Sequence, residues 1–350
     1  MGGSAMGAAE LPTAMDIAQA REAVAGVAIR TPLVRLNGTA DAQHQPRGGN
    51  ETADAQHQPR GGNETDSGPQ IYLKLENLQP IGSFKLRGAA AVLASATADE
   101  VAAGIVTASA GNMGQGAAWF ARRLGVPCTV VVPPTAPASK ITAMGALGAR
   151  VVPVSAEAWW DAFVQRRVDG VDGVFIHAFD DVAVMAGNAT IGLEITEDLP
   201  SVTHVLVPWG GGGLACGIAT GLASVGSAAR VLACEVATAA PLAASLAAGR
   251  PATVDMQPSF VDGIGSRTVL PSMYDRATQL GIASLVASVT DVAAALRLLL
   301  DRNRVLVEGA GATPIACALS AGFGPDDVVV CVVSGGVIGL DTVRDLLSSS

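Results

Sequence analysis

The sequence predicts an α/β protein with two doubly wound domains, each built around a largely parallel sheet. Short runs of apolar, often β-branched residues alternate with alanine-rich segments long enough for helices, and residues 328–333 are the clearest such run. Strands that helices cover on both faces have continuous apolar sequences of this kind. Glycine clusters follow several of the runs, at the strand ends where such sheets bind ligands. The 350 residues suffice for two domains of ordinary size.

The same alternation places the individual elements along the chain. Apolar runs bounded by turn residues predict buried strands, and the alanine-rich segments between them predict helices. The predicted strands cover residues 71–75, 104–108, 127–133, 150–154, 203–208, 230–235 and 328–333. The predicted helices cover residues 114–124, 139–148 and 215–223.

A polar insertion interrupts this pattern before the first of these strands. Residues 40–52 recur without change as residues 53–65, and the segment is rich in Gly, Gln and Asn. It has no apolar periodicity with which to bury a face, and two copies are too few for a repeat fold. We therefore expect residues 40–65 to form a surface insertion.

The composition excludes several classes of protein. Hydrophobic residues make up 49% of the chain and charged residues 15%, which indicates a globular fold. The net charge is −9 and there is no basic stripe with interleaved aromatic residues, so nucleic acid is not expected as a partner. No apolar run approaches the roughly 20 residues that span a membrane, and the N-terminus lacks a signal-peptide pattern. We expect no membrane partner and a cytoplasmic location.

The cysteines and histidines indicate neither a disulfide framework nor a histidine-based metal site. The five cysteines are odd in number and widely spaced, which is typical of buried free thiols in a reducing compartment. No pair among the four histidines has the spacing of metal ligands.

Lys85 is the first candidate for chemistry, and the chain has only two other lysines, Lys74 and Lys140. It lies in an apolar segment flanked by Gly82 and Gly88. Poor solvation disfavours the ammonium form, and a neutral lysine amine can form a Schiff base with an aldehyde. The alternative is a lysine that extends from the start of a helix into solvent. The glycine motifs elsewhere in the chain favour the chemical interpretation.

Four consecutive glycines, Gly210, Gly211, Gly212 and Gly213, stand between a predicted strand and Leu214, where a helix is expected to follow. Glycine lets backbone N–H groups approach an anion without obstruction by Cβ, and a helix N-terminus adds partial positive charge. A phosphate fits this loop better than the alternative of a flexible linker, because linkers do not join a buried strand to an apolar helix. The Walker lysine and the GxGxxG spacing are absent, which disfavours a nucleotide.

Two further strand ends carry polar groups. Ser109 and Asn112 stand in a short loop before a predicted helix, where N–H groups could bind a carboxylate, although both residue types are common helix caps. Ser334 follows the last strand beside two glycines, so its hydroxyl could meet a ring nitrogen. A simple turn serine is an equal alternative at that position.

Together these motifs resemble the fold-type II family of pyridoxal-phosphate (PLP) enzymes, in particular the threonine/serine dehydratase and serine racemase group. The matching segments are residues 74–80, 82–89, 109–112, 210–214 and 334–336, and they occur in the family's order. The resemblance runs from about residue 14 to residue 347, apart from the insertion. It implies a tryptophan synthase β-like homodimer. Each chain would have a large PLP-binding domain of residues 1–98 and 176–350, and a small domain of residues 99–175.

The resemblance also implies a role for each matching residue. Lys85 would hold PLP as a Schiff base and would act as the base at the substrate Cα. Phe84 would flank the cofactor ring, Asn112 would bind its 3-oxygen, and Ser334 would bind its ring nitrogen. The cofactor phosphate would be bound by Gly210, Gly211, Gly212 and Gly213, with Leu214 beside them. The substrate carboxylate would be bound by the loop of Ser109, Ala110, Gly111, Asn112 and Met113.

Three departures from the family pattern refine the expected activity. Racemases of this group carry a serine as a second base where this chain has Ala110, so elimination is favoured over racemisation. Met113 stands where the family usually has histidine, which indicates a less polar substrate side chain, such as an aromatic one. Glu235 matches the glutamate of the family's cation site, but Pro241 replaces the aspartate of serine racemase. We therefore expect no metal, with Glu235 as the one candidate ligand.

The function expected from these observations is that of a PLP-dependent lyase, a dehydratase that releases ammonia. Its substrate would be a β-hydroxy-α-amino acid such as threonine, serine or an aryl-serine, and its product an α-keto acid. A β-replacement synthase is the main alternative, and an amino-acid racemase is less favoured. A binding protein without activity is a further alternative, but the retained Lys85 argues against it.

Overall fold

The computed structural model describes residues 9–37 and 68–348, so the insertion predicted at residues 40–65 lies outside the described residues. The strands are β1 (Leu33–Arg35), β2 (Gln70–Lys74), β3 (Ile105–Ala108), β4 (Cys128–Val132), β5 (Arg150–Pro153), β6 (Val174–Phe175), β7 (His204–Pro208), β8 (Arg230–Val236), β9 (Ala283–Ala287) and β10 (Val328–Val332). The helices are α1 (Ala14–Ala25), α2 (Lys85–Ser95), α3 (Ala98–Ala103), α4 (Asn112–Leu124), α5 (Ala138–Ala146), α6 (Ala156–Gln165), α7 (Val182–Asp198), α8 (Gly213–Ser224), α9 (Pro241–Ala248), α10 (Pro271–Gln279), α11 (Val289–Leu298), α12 (Gly309–Ser320) and α13 (Leu340–Ser348). Within this described part, no helix combines the length and apolarity needed to cross a membrane.

The larger sheet has six strands in the order β1-β2-β10-β7-β8-β9. Only β1 runs antiparallel to its neighbour, and the other four pairings are parallel. Successive residues of β10 pack into different cores, because Cys331 joins the cluster that contains Leu73, whereas Val330 and Val332 join the cluster that contains Val205. Packing on both faces explains why the strand sequences are continuously apolar.

The smaller sheet has four parallel strands in the order β5-β4-β3-β6. It is also covered on both faces, since Val130 packs with Ile105 and Phe120, while Val131 packs with Phe163. The α/β class with largely parallel sheets is therefore confirmed. The domain boundaries at residues 98 and 175 stay a prediction.

Two helices begin earlier than the sequence predicts. Helix α4 begins at Asn112 rather than at residue 114, and α8 begins at Gly213 rather than at residue 215. Glycine is a poor helix former, so the sequence indicates loops at both places. In the fold these residues form the first helical turns, whose N–H groups have no partner within the helix.

A buried ion network links β2, α2 and α7. Arg87 donates to both carboxylate oxygens of Glu76, at 2.8 Å each, and to both oxygens of Glu194, at 2.6 and 2.9 Å. Lys74 donates to Glu194 at 2.6 Å and to the carbonyl of Thr31 at 2.7 Å. The side chains of Lys74, Glu76 and Arg87 are fully buried. Burial opposes ionisation of Glu76, but Arg87 outweighs burial and lowers the pKa of that carboxyl.

All five cysteines are buried free thiols, as the sequence predicts. Burial raises the pKa of Cys128 and of Cys216 to about 12, so these thiols are protonated and unreactive near neutral pH.

Candidate active site

A cavity of about 620 Å³ collects residues from the carboxyl ends of β3, β7 and β10. The sequence predicts ligand binding at these ends, and the fold brings them together although they are far apart in the chain. Each residue predicted to bind cofactor or substrate lines this cavity. They are Phe84, Lys85, Ser109, Ala110, Gly111, Asn112, Met113, Gly210, Gly211, Gly212, Gly213, Leu214 and Ser334.

Lys85 is the first residue of α2 and its amine lies in the cavity. The Nζ atom donates a hydrogen bond to the carbonyl of Ala178 at 2.5 Å and lies 4.8 Å from the centre of the Phe84 ring. Burial lowers the pKa of this amine to about 8, and the nearby Glu308 carboxylate opposes the shift. A substantial fraction of the amine is therefore neutral and nucleophilic near physiological pH.

Three of the four glycines between β7 and α8, Gly211, Gly212 and Gly213, have no room for a Cβ atom. A Cβ atom on Gly211 would lie 2.1 Å from the Phe179 ring, and one on Gly213 would lie 2.4 Å from the Phe179 carbonyl oxygen. Gly212 has a φ of +93°, and a Cβ there would lie 2.4 Å from Trp209. These three residues can therefore present only backbone to the cavity, next to the N-terminus of α8. That combination is suited to a phosphate group.

The loop from Ser109 to Met113 joins β3 to α4 on another wall of the cavity. The Ser109 hydroxyl accepts a hydrogen bond from the Gly111 N–H at 3.3 Å, which holds the loop in a tight turn. Ala110 lines the cavity with a methyl group, and Met113 is almost completely buried. The start of α4 can therefore receive an anion, while Ala110 supplies no proton acceptor.

Ser334 lies two residues after the end of β10 and beside the start of α2. Its carbonyl accepts a hydrogen bond from the Phe84 N–H at 3.0 Å, and Ser83 forms an antiparallel bridge with Gly335. These backbone contacts hold Ser334 against the start of α2, so that it lines the same cavity as Lys85. The motifs in the sequence did not identify Glu308, which neighbours Ser334, as a residue of the site. A recognisable signal exists, because Glu308 is a single acid between an apolar run and the glycine-rich start of α12.

Glu308 is buried with 3% exposure and lies against Asn112. Asn112 Nδ2 donates to Glu308 Oε1 at 3.0 Å. Asn112 Oδ1 and Glu308 Oε2 are both buried without a hydrogen-bond partner among the described residues. Burial raises the pKa of Glu308 to about 7, opposed mainly by Lys140.

Aromatic side chains form one wall of the cavity, and no sequence pattern groups them. Trp159 and Phe163 of α6 stack with their ring centres 5.4 Å apart, and the Phe163 ring lies 5.4 Å from that of Phe179. Trp160 and Met256 line the same cavity. We call Trp159, Trp160, Phe163 and Phe179 the aromatic wall.

Glu235 does not line the cavity and its carboxylate is already engaged. It accepts hydrogen bonds from the N–H groups of Leu242 and Ala243 at the start of α9, each at 2.8 Å, and from the Ser284 hydroxyl at 2.6 Å. Donor hydrogens thus point at the oxygens that a cation would need. In the described part of the chain, no three His, Cys, Asp or Glu residues form a group that could hold a metal ion.

The cavity fits the PLP that the sequence motifs imply. The glycine loop suits the phosphate group of PLP, and the Lys85 amine suits its aldehyde. The Phe84 ring suits the cofactor ring. The unpartnered Oδ1 of Asn112 shows that this side chain has hydrogen-bonding capacity left for a ligand.

Comparison with known proteins gives a consistent result. Residues 56–335 match the family described as pyridoxal-phosphate dependent enzyme. L-threonine ammonia-lyase of Thermotoga maritima is 37% identical, over 81% of this chain and 71% of its own. Among solved structures, processed threonine deaminase isoform 2 from Solanum lycopersicum aligns with a TM-score of 0.78 and 27% identity, covering 99% of this chain and 93% of its own. Maize serine racemase aligns with a TM-score of 0.80 and 25% identity, and the alignment covers 97% of this chain and 98% of the racemase chain.

The family match covers most of the chain, and the relative from Thermotoga maritima is similar over a comparable length. The same residues build the cavity whose surroundings suit each part of the cofactor. The chain therefore belongs to the pyridoxal-phosphate dependent enzymes of fold-type II, and its cofactor is pyridoxal 5′-phosphate.

Proposed function

We propose that the chain is an ammonia-lyase that converts a β-hydroxy-α-amino acid into an α-keto acid and ammonia. The observation that carries this proposal is one cavity that combines the Lys85 amine, the glycine loop and the loop at Ser109. The similarity to L-threonine ammonia-lyase supports it. Bound PLP supplies the electron-withdrawing group that makes the substrate Cα–H acidic.

The side chains of the cavity have distinct parts in this reaction. Lys85 would hold the cofactor through its amine, and the same amine would accept the proton from the substrate Cα. The N–H groups at the start of α4, with the Ser109 loop, bind the substrate carboxylate. Phe84 would pack on the cofactor ring, the Ser334 hydroxyl would bind the ring nitrogen, and the glycine loop would hold the phosphate. A neutral hydroxyl at the ring nitrogen does not enforce its protonation, which favours early loss of the β-hydroxyl.

Ala110 favours elimination over racemisation. A racemase needs a proton donor and acceptor on each face of Cα, and the methyl group of Ala110 can serve as neither. Similarity to serine racemases in overall fold therefore does not extend to this position.

The aromatic wall favours a substrate with an apolar, aromatic side chain. Trp159 stacks on Phe163, the Phe179 ring is tilted against Phe163, and Met113 is buried on another wall of the cavity. Aromatic rings stabilise a bound phenyl group by dispersion and edge contacts. Serine would leave this wall in contact with water.

A substrate panel tests both the reaction and this preference. With L-threonine, L-serine and L-threo-phenylserine, we expect α-keto acid from all three. We expect kcat/KM for phenylserine to exceed that for serine by about tenfold or more, because burying a phenyl group contributes a few kcal/mol. Absence of keto acid from every substrate would remove the proposed function. Thioether formation in the presence of an added thiol, at the expense of keto acid, would instead support β-replacement.

Removing one aromatic side chain from the aromatic wall tests the substrate preference alone. In Phe163→Ala, we expect kcat/KM for phenylserine to fall by about tenfold, since one ring of the stack is lost. The value for serine serves as the internal control and should change by less than about twofold. An equal loss for both substrates would show that Phe163 supports the fold and not the substrate.

We also propose that the enzyme acts in the cytoplasm as a homodimer. Five buried free cysteines support a reducing compartment. The homodimer is proposed from the family resemblance, and sedimentation of the full chain would measure its mass.

A further inference from the structure

Glu308 is the one carboxyl group of the cavity lining that is almost fully buried, and the reaction as proposed does not use it. Its carboxyl group lies between two glycines. A Cβ on Gly335 would lie 2.5 Å from Glu308 Oε1, and one on Gly263 would lie 3.3 Å from it. The close fit fixes the carboxyl group against the amide of Asn112.

The two side chains share one hydrogen bond and leave one oxygen each without a partner in the described chain. When Glu308 is ionised it can only accept, so Asn112 must turn its Nδ2 donor towards Glu308. The unpartnered Oδ1 is then the group that Asn112, a residue of the cavity lining, has left for a ligand. When Glu308 carries a proton, its O–H can donate to Oδ1 once the amide has turned by 180° about its Cβ–Cγ bond, which exchanges the positions of Oδ1 and Nδ2. Nδ2 then faces the cavity as a donor.

The two arrangements differ in what they offer to the cofactor. The oxygen on the cofactor ring needs a hydrogen-bond donor, and an Oδ1 lone pair placed against it is repulsive. Only protonated Glu308 therefore leaves Asn112 in the productive orientation. This step rests on the proposed contact between Asn112 and the cofactor.

We propose that Glu308 is a positioning residue whose proton turns the Asn112 amide so that Nδ2 binds the ring oxygen of the cofactor. The charged groups that act on Glu308 are Lys140 and its ion-pair partner Asp262, which lie 2.8 Å apart, and the Lys85 amine. Burial in this setting holds the pKa of Glu308 at about 7, so both arrangements are populated near neutral pH.

The test is a binding measurement on the full chain freed of cofactor, with pyridoxine 5′-phosphate as the probe. This compound has the ring, the ring oxygen and the phosphate but no aldehyde, so it cannot attach to Lys85. Wild type is compared with Glu308→Gln, whose amide can donate to Asn112 Oδ1 at every pH. Titration of the probe and of Lys85 changes binding in both proteins. The ratio of the two dissociation constants therefore isolates the effect of the Glu308 proton.

We expect the ratio of the wild-type dissociation constant to that of Glu308→Gln to rise about 10- to 30-fold between pH 6 and pH 8.5. The sign follows from linkage, because the protonated form binds and is lost as the pH rises through about 7. In an Asn112→Ala background, the same substitution at position 308 should no longer change the pH dependence. If Glu308→Gln fails to fold, the ratio of the dissociation constants of wild type and Asn112→Ala is measured over the same pH range instead.

Two results would overturn the inference. One is a ratio that stays constant within about twofold across the pH range. The other is a pH dependence that persists in the Asn112→Ala background. Failure of all variants and wild type to bind the probe would contradict the cofactor assignment itself, so the two failures are distinguishable.

Discussion

Replacing Lys85 by alanine is expected to lower kcat/KM for keto acid formation by about 10³-fold or more, because the nucleophile and the base at Cα are lost together. Lys85→Arg is the matched variant, since it keeps the positive charge but cannot become a neutral amine. We expect the same loss in both variants. Borohydride reduction followed by mass spectrometry should find cofactor bound to the peptide that contains residue 85 in wild type only.

The lowered pKa of Lys85 gives this prediction a pH dependence. Only the neutral amine attacks an aldehyde, so the rate of covalent attachment of PLP to the cofactor-free chain should rise as the pH increases through about 8. A rate that still rises about tenfold per pH unit above pH 8.5 would contradict the assignment of a poorly solvated amine. Retention of cofactor label in Lys85→Arg would contradict the attachment site.

Replacing Arg87 by leucine is expected to lower the free energy of unfolding by about 3–5 kcal/mol, because it leaves Glu76 and Glu194 as buried carboxylates without their main partner. Denaturant-induced unfolding of the full chain measures this loss. Arg21→Ala is the control, since its ion pair with Glu197 is exposed and should contribute less than about 1 kcal/mol.

Two further comparisons separate charge burial from packing. Adding Glu76→Gln and Glu194→Gln to Arg87→Leu should recover part of the stability, because the uncompensated charges are removed. The folded-state pKa of Glu76 is lowered. The advantage of wild type over Arg87→Leu should therefore hold above the ordinary glutamate pKa of about 4.3 and fade as the pH falls. Equal losses in Arg87→Leu and Arg21→Ala would show that the network contributes little.

Local sequence predicted seven of the ten strands in the described part of the chain and the glycine-rich backbone of the site. Apolar runs of strand length marked most of the sheet, and glycine clusters marked the strand ends that line the cavity. These features are readable because they depend on neighbours in the chain: the period of burial, the conformational freedom of glycine and the free N–H groups of a first helical turn. The resemblance of those motifs to one family supplied the cofactor and the role expected of Lys85.

Contacts between distant segments required the tertiary structure. Glu308 meets Asn112 across 196 residues of sequence, and Lys74 meets Glu194 across 120. The aromatic wall joins α6 to Phe179, and Glu235 caps α9 through Leu242 and Ala243. Sequence patterns fix which face of an element is buried, but not which element lies opposite it, because strand order in a sheet depends on the packing of the whole domain. The sequence by itself thus determined the α/β class, the glycine loop and the candidate lysine. Only the fold decided which carboxyl and which rings surround that lysine.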